Sequence, residues 1–172
     1  MRPIPAFIVL LPLAAAPALA QSGSSAPVSW GGDVGIFAPF ESGSSSSFTG
    51  RFTADVYSWD RLGVRFAAGF ASPTLGDAPS DAHADIVYVS GGLIQRLGGS
   101  AYHPYLHGGV GLYHLSGDRS GTDLGLAFGG GFELDIGIRG AALTPELTAH
   151  VISGDGPRFS LALTVGLHTK PR

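Results

Sequence analysis

From Trp30 onward, apolar residues recur at every second position in one segment after another, and a period of two points to strands rather than helices. In residues 48–58, Phe48, Phe52, Ala54 and Val56 share one face, while Thr49, Arg51, Thr53, Asp55 and Tyr57 share the other. In 62–70, Leu62, Val64, Phe66, Ala68 and Phe70 oppose Gly63, Arg65, Ala67 and Gly69. In 159–167, Phe159, Leu161, Leu163, Val165 and Leu167 oppose Ser160, Ala162, Thr164 and Gly166. Segments 30–40, 105–113, 123–136 and 143–151 repeat the pattern. Segment 85–97 has apolar residues on both parities; the face of Val87, Val89 and Leu93 is assigned outward. The eight segments have about the 9–11 residues that a tilted membrane strand needs.

Alternation alone is shared by a soluble barrel, whose apolar face points inward. The opposite face separates the two cases. Here it is mostly Gly, Ala, Ser and Thr with a few charged residues, a poor surface for water but suited to a narrow lumen filled by side chains. Charged residues are 13% of the chain, about half the usual share. Lysine occurs once, at Lys170, where a soluble β-protein would use it to guard its edges. The expected fold is therefore an all-β, eight-stranded antiparallel transmembrane β-barrel. A soluble periplasmic barrel or sandwich is the competing fold.

The connections alternate in character. Residues 42–47, 72–84, 116–122 and 153–158 are polar and in part long; 59–61, 98–103 and 137–140 are compact. Short periplasmic turns and longer outer loops give this asymmetry, which places both termini on the periplasmic side. Trp30, Trp59, Tyr102 and Tyr105 are then expected near the periplasmic rim, and Phe40, Phe48, Phe70 and Phe159 near the outer one.

Residues 1–20 have Arg2, an apolar run and a small-x-small end at Ala18-Leu19-Ala20, the pattern of a cleavable secretory signal. Residues 21–29 read as a flexible linker, 30–169 as the barrel and 170–172 as a short tail. No later apolar run reaches the length of a membrane helix. Cysteine is absent, which excludes disulfides and thiolate metal sites. Once Arg2 leaves with the signal, 9 basic residues face 13 acidic ones, a formal charge of −4. That balance excludes a nucleic-acid partner, which needs clustered positive charge.

The stretches His103-Pro-Tyr-Leu-His-Gly-Gly-Val-Gly-Leu-Tyr113, Phe128-Gly-Gly-Gly-Phe-Glu-Leu134 and Leu161-Ala-Leu-Thr-Val-Gly-Leu167 resemble the OmpA/OmpX-like outer-membrane β-barrel family. The resemblance covers essentially all of the mature chain, through structural motifs of low specificity. It implies an up-and-down topology, the bacterial outer membrane with its lipid and lipopolysaccharide as surroundings, and the outer-membrane assembly machinery as a partner during biogenesis. Family members usually end their last strand on an aromatic residue; this chain ends Leu167-His-Thr-Lys-Pro-Arg172.

Inward parity gathers Asp33, Arg51, Asp55, Arg65, Glu133, Asp135 and Glu146. In a narrow lumen these charges should pair, because a lone buried charge is costly. They read as a structural network rather than an ion path. His107, His150 and His168 share that parity, but their spacing matches no metal-ligand motif, and neither metal nor cofactor is expected. His114-Leu115-Ser116 is similar to the His-x-Ser pair of barrels that deacylate lipid A, although Gly117 stands where that family has Asn. A base beside a nucleophile also needs a third group to orient it. A monomeric barrel with a structural or surface-interaction role is expected, without enzymatic activity. A lipid-A-modifying hydrolase and a small solute channel are the alternatives.

Overall fold

A computed structural model describes residues 27–58, 61–74, 84–98, 102–117, 120–154 and 158–170. The signal segment 1–20, most of the linker, Trp59 and the last two residues of the tail lie outside these residues. Eight strands follow one another: β1 (Val28–Pro39), β2 (Ser47–Tyr57), β3 (Leu62–Ala71), β4 (Ala84–Arg96), β5 (Tyr102–Gly117), β6 (Gly121–Asp135), β7 (Ala141–Ile152) and β8 (Phe159–Thr169). Each pairs antiparallel with the next, and β8 returns to β1, closing the barrel. Closure removes every sheet edge, the condition for strands to cross a bilayer with no backbone group unpaired. Val28 and Ser29, assigned to the linker from sequence, belong to β1.

The register keeps one parity facing outward around the whole barrel. Val34, Ile36, Phe52, Leu93, Leu126, Leu147 and Leu163 each keep roughly half or more of their surface exposed. Water would not tolerate so continuous an apolar belt, which exceeds the patches of soluble proteins; a bilayer requires it. Val87 and Leu93 of β4 face outward, while Ile86, Tyr88 and Ile94 are buried in the lumen. The double parity of β4 thus arises from apolar plugs inside the barrel. Rings meet at both rims: Phe40 with Phe159 and Phe48 with Phe70 at the loop end, Trp30 with Phe52 and Tyr102 with Phe132 at the end that carries the termini. Tyr105, expected at a rim, instead points into the lumen and is buried.

The inward face is also more apolar than the sequence reading assumed. Phe37, Ile86, Tyr88, Tyr113, Leu115 and Ile152 close the loop end of the lumen. Tyr57, Ile94 and Tyr105 close the other end. Glycine makes room for these rings. The Tyr105 hydroxyl lies 2.7 Å from where a Cβ on Gly131 would stand, and the Tyr88 ring covers Gly69 in the same way. The last difference concerns 116–122, read as a loop. Here β5 and β6 run on to Gly117 and from Gly121 as one tall hairpin.

Candidate functional site

Between the two plugs lies a polar belt whose main part is built from five strands. Asp33 comes from β1, Arg51 and Asp55 from β2, Arg65 from β3, Glu146 and Thr148 from β7, and Thr164 and His168 from β8. Inward parity puts all of them in the lumen, and all are buried. Glu146 is the hub. It accepts hydrogen bonds from Arg51 Nη1 at 2.5 Å, Arg65 Nη1 at 2.6 Å, the Tyr105 hydroxyl at 2.6 Å and the Thr148 hydroxyl at 2.7 Å. Arg51 Nε also donates to Asp33 at 3.1 Å. Arg65 binds Asp55 through two nitrogens, at 2.8 and 2.9 Å. Such charge-assisted, partly bidentate bonds are the strong kind, and they offset the desolvation of buried ions.

Two histidines complete the belt. His168 Nε2 lies 2.9 Å from Asp33 Oδ1, and His107 Nε2 lies 3.1 Å from Glu146 Oε1. A carboxylate only accepts, so both Nε2 atoms carry hydrogen. His150 stands apart, with Nδ1 2.9 Å from the Tyr113 hydroxyl and its ring against Phe37 and Tyr88. Among the described residues, no group of three or more His, Asp or Glu side chains has the geometry to hold a metal ion. Beside the belt, a cavity lined in part by Arg51, Tyr88, His107, Thr148 and His150 leaves about 20 Å³ for water centres, room for a single molecule.

The structure brings together Asp33, Arg51, Asp55, Arg65 and Glu146, but not the other two residues assigned to the network. Glu133 sits at the termini end, where Arg96 Nη2 reaches its two carboxylate oxygens at 2.6 and 2.7 Å. Asp135 is exposed at the end of β6 and pairs with Lys170 at 2.7 Å, so it is a rim residue rather than a lumen one. Sequence reasoning missed Arg96 and the Tyr105 hydroxyl. Parity counted from Leu93 would have turned Arg96 inward, and parity counted from His107 would have done the same for Tyr105.

The outer-rim pair has a different geometry. His114 and Ser116 are both half-buried on the outward parity of β5. His114 Nδ1 lies 3.0 Å from the Thr122 hydroxyl on β6. Ser116 has Asp85 of β4 as its register partner, but the Asp85 carboxylate accepts from the Ser72 hydroxyl at 2.5 Å. Among the described residues, no hydrogen bond joins His114 to Ser116 or either of them to Asp85. The three residues a hydrolytic site would need share one face without forming a relay.

No protein-family model and no curated protein matches the chain. Solved structures do. The Neisserial surface protein A (NspA) superposes with a TM-score of 0.66 at 20% identity, covering 83% of this chain and 96% of its own. The chain has the outer-membrane barrel fold. OprG, an outer membrane protein from Pseudomonas aeruginosa, gives 0.57 at 15% identity over 86% of this chain and 94% of its own. The outer membrane enzyme PagL gives 0.51 at 16% identity over 80% and 99%. This small outer-membrane barrel therefore shares its architecture with a surface protein and with an enzyme, and its outward apolar belt makes it a membrane-spanning protein.

Proposed function

We propose that this outer-membrane barrel has a structural or surface-interaction role, acting as a monomer surrounded by lipid and lipopolysaccharide and inserted by the outer-membrane assembly machinery. The observation that carries this reading is the filled lumen. A five-residue ionic belt is sealed above by Phe37, Ile86 and Tyr113 and below by Tyr57, Ile94 and Tyr105. A solute path would need polar space through both seals. In planar bilayers the purified barrel is expected to give no discrete conductance steps; regular single-channel steps would replace this reading with the channel one.

A lipid-modifying enzyme is the second reading. It draws support from the register that sets Asp85 beside Ser116, with His114 on the same face. Catalysis needs a base within hydrogen-bond reach of the nucleophile, and the His114 imidazole is instead held by Thr122. Ser116→Ala is therefore expected to leave the lipid A acylation profile of producing cells unchanged. A deacylated lipid A species made by the parent protein and missing in the variant would reverse the ranking.

A further inference from the structure

The charges outside the lumen are distributed unequally between the two ends of the barrel. Among the described residues, the loop end carries Glu41, Asp85 and Asp123 against Arg158. The end with the termini carries Arg61, Arg96, Arg139 and Lys170 against Glu133 and Asp135. One end thus has two acids in excess and the other two bases. Arg96 and Lys170 are neutralised by Glu133 and Asp135. Arg61 and Arg139 are both exposed, and no ion pair joins either to a described carboxylate.

These two arginines sit where the apolar belt stops. Arg139 follows Ile138, which is 57% exposed, in the β6–β7 turn. Arg61 precedes β3, and its guanidinium lies against the neighbouring β4–β5 turn, with Cζ 3.6 Å from where a Cβ on Gly98 would stand. Beside that turn, Leu97 and Tyr102 are exposed. An apolar band, then aromatic rings, then guanidinium groups that no described carboxylate pairs is the order of layers that a membrane interface with anionic headgroups would match.

We propose that this rim is a collar for anionic phospholipid, in which Arg61 and Arg139 hold the phosphate groups of negatively charged lipids in the periplasm-facing leaflet. The collar rests on the membrane-barrel reading given above. A basic side chain close to an anionic surface contributes about 1 kcal/mol, or about fivefold in association. Because Arg61 and Arg139 lie at separate turns, one lipid meets one arginine, and about fivefold is the preference expected.

The chain's own fluorescence can test this. Its two tryptophans are Trp30, in the first turn-proximal residues of β1, and Trp59, two residues before Arg61 in sequence. The mature barrel would be folded in phosphatidylcholine vesicles that contain brominated phosphatidylglycerol or, separately, brominated phosphatidylcholine. The ratio of the two quenching isotherms gives the relative lipid association at this rim. A ratio of about five is expected, falling towards one in about 0.5 M salt, where screening is short-ranged. It should also fall towards one in the Arg61→Gln, Arg139→Gln protein and be kept by Arg61→Lys, Arg139→Lys. A ratio near one in the parent, or one unchanged by the glutamine substitutions, would overturn the collar and leave the rim to some soluble acidic partner. Folding in pure phosphatidylcholine is scored separately: its failure would count against the membrane barrel itself.

Discussion

Glu146→Leu is expected to destabilise the barrel by about 3–5 kcal/mol, the cost of stranding buried charges whose partner has been removed. The substitution leaves Arg65 with Asp55, and Arg51 with Asp33, as its one carboxylate partner among the described residues, and it removes the acceptor of the Tyr105 hydroxyl and of His107. Both guanidinium groups are almost entirely shielded from water, so solvent cannot replace the lost carboxylate. Glu146→Gln keeps an acceptor oxygen and should fall between leucine and the parent. Glu133→Gln, at the more open Arg96 pair, should cost less than either. Urea titration of the barrel in phosphatidylcholine vesicles, followed by the shift in gel mobility between folded and unfolded forms, would measure the series. A loss below about 1 kcal/mol for Glu146→Leu would mean that the belt is not what holds the lumen together.

The second large effect is expected on the outside. Leu163 lies midway along β8, is 58% exposed, and pairs with Ile36 and Leu147, both outward. An arginine at the midplane of such a barrel costs about 2–4 kcal/mol. Leu163→Arg should therefore lower folding stability in bilayers by that amount. Thr164→Ser, one residue away, keeps the hydroxyl that faces Arg51 Nη2 and should change little. Adjacent positions with opposite consequences are what a one-residue change of face produces in a strand.

Much of this architecture was legible because the period of two is a geometric property of strands that needs no knowledge of the partner. Once Leu163 faced out, Thr164 faced in, and the same counting placed Asp33, Arg51, Arg65 and Glu146 in one lumen. What sequence could not supply is depth along the barrel. Glu133 and Asp135 have the same parity as Gly131, yet they lie near the rim, where one meets Arg96 and the other Lys170. Which carboxylate meets which guanidinium depends on the stagger of strands distant in sequence, as between Arg51 and Glu146. The apolar plugs were obscured for a related reason. Phe37 and Ile86 stand on the otherwise polar parity of their strands and Ile152 just past the segment 143–151, and only closure of the barrel gathers them into one layer. The tall β5–β6 hairpin was hidden by composition. Ser116, Gly117 and Gly121 have the chemistry of a loop, but pairing with a neighbouring strand holds them in the sheet. At the outer rim, the sequence motif drew attention to His114 and Ser116, while their partners Thr122 and Asp85 emerge only from register.

The central claim, that the apolar face of this barrel meets lipid, is tested most directly by a single tryptophan at position 163. With Trp30 and Trp59 replaced by phenylalanine, Leu163→Trp would be folded in vesicles whose lipids carry bromine at chosen depths along the acyl chain. Deep bromines are expected to quench this tryptophan strongly and bromines near the headgroup to quench it little. A folded protein whose tryptophan escapes quenching at every depth would place position 163 in an internal core, and the membrane barrel would give way to a soluble one.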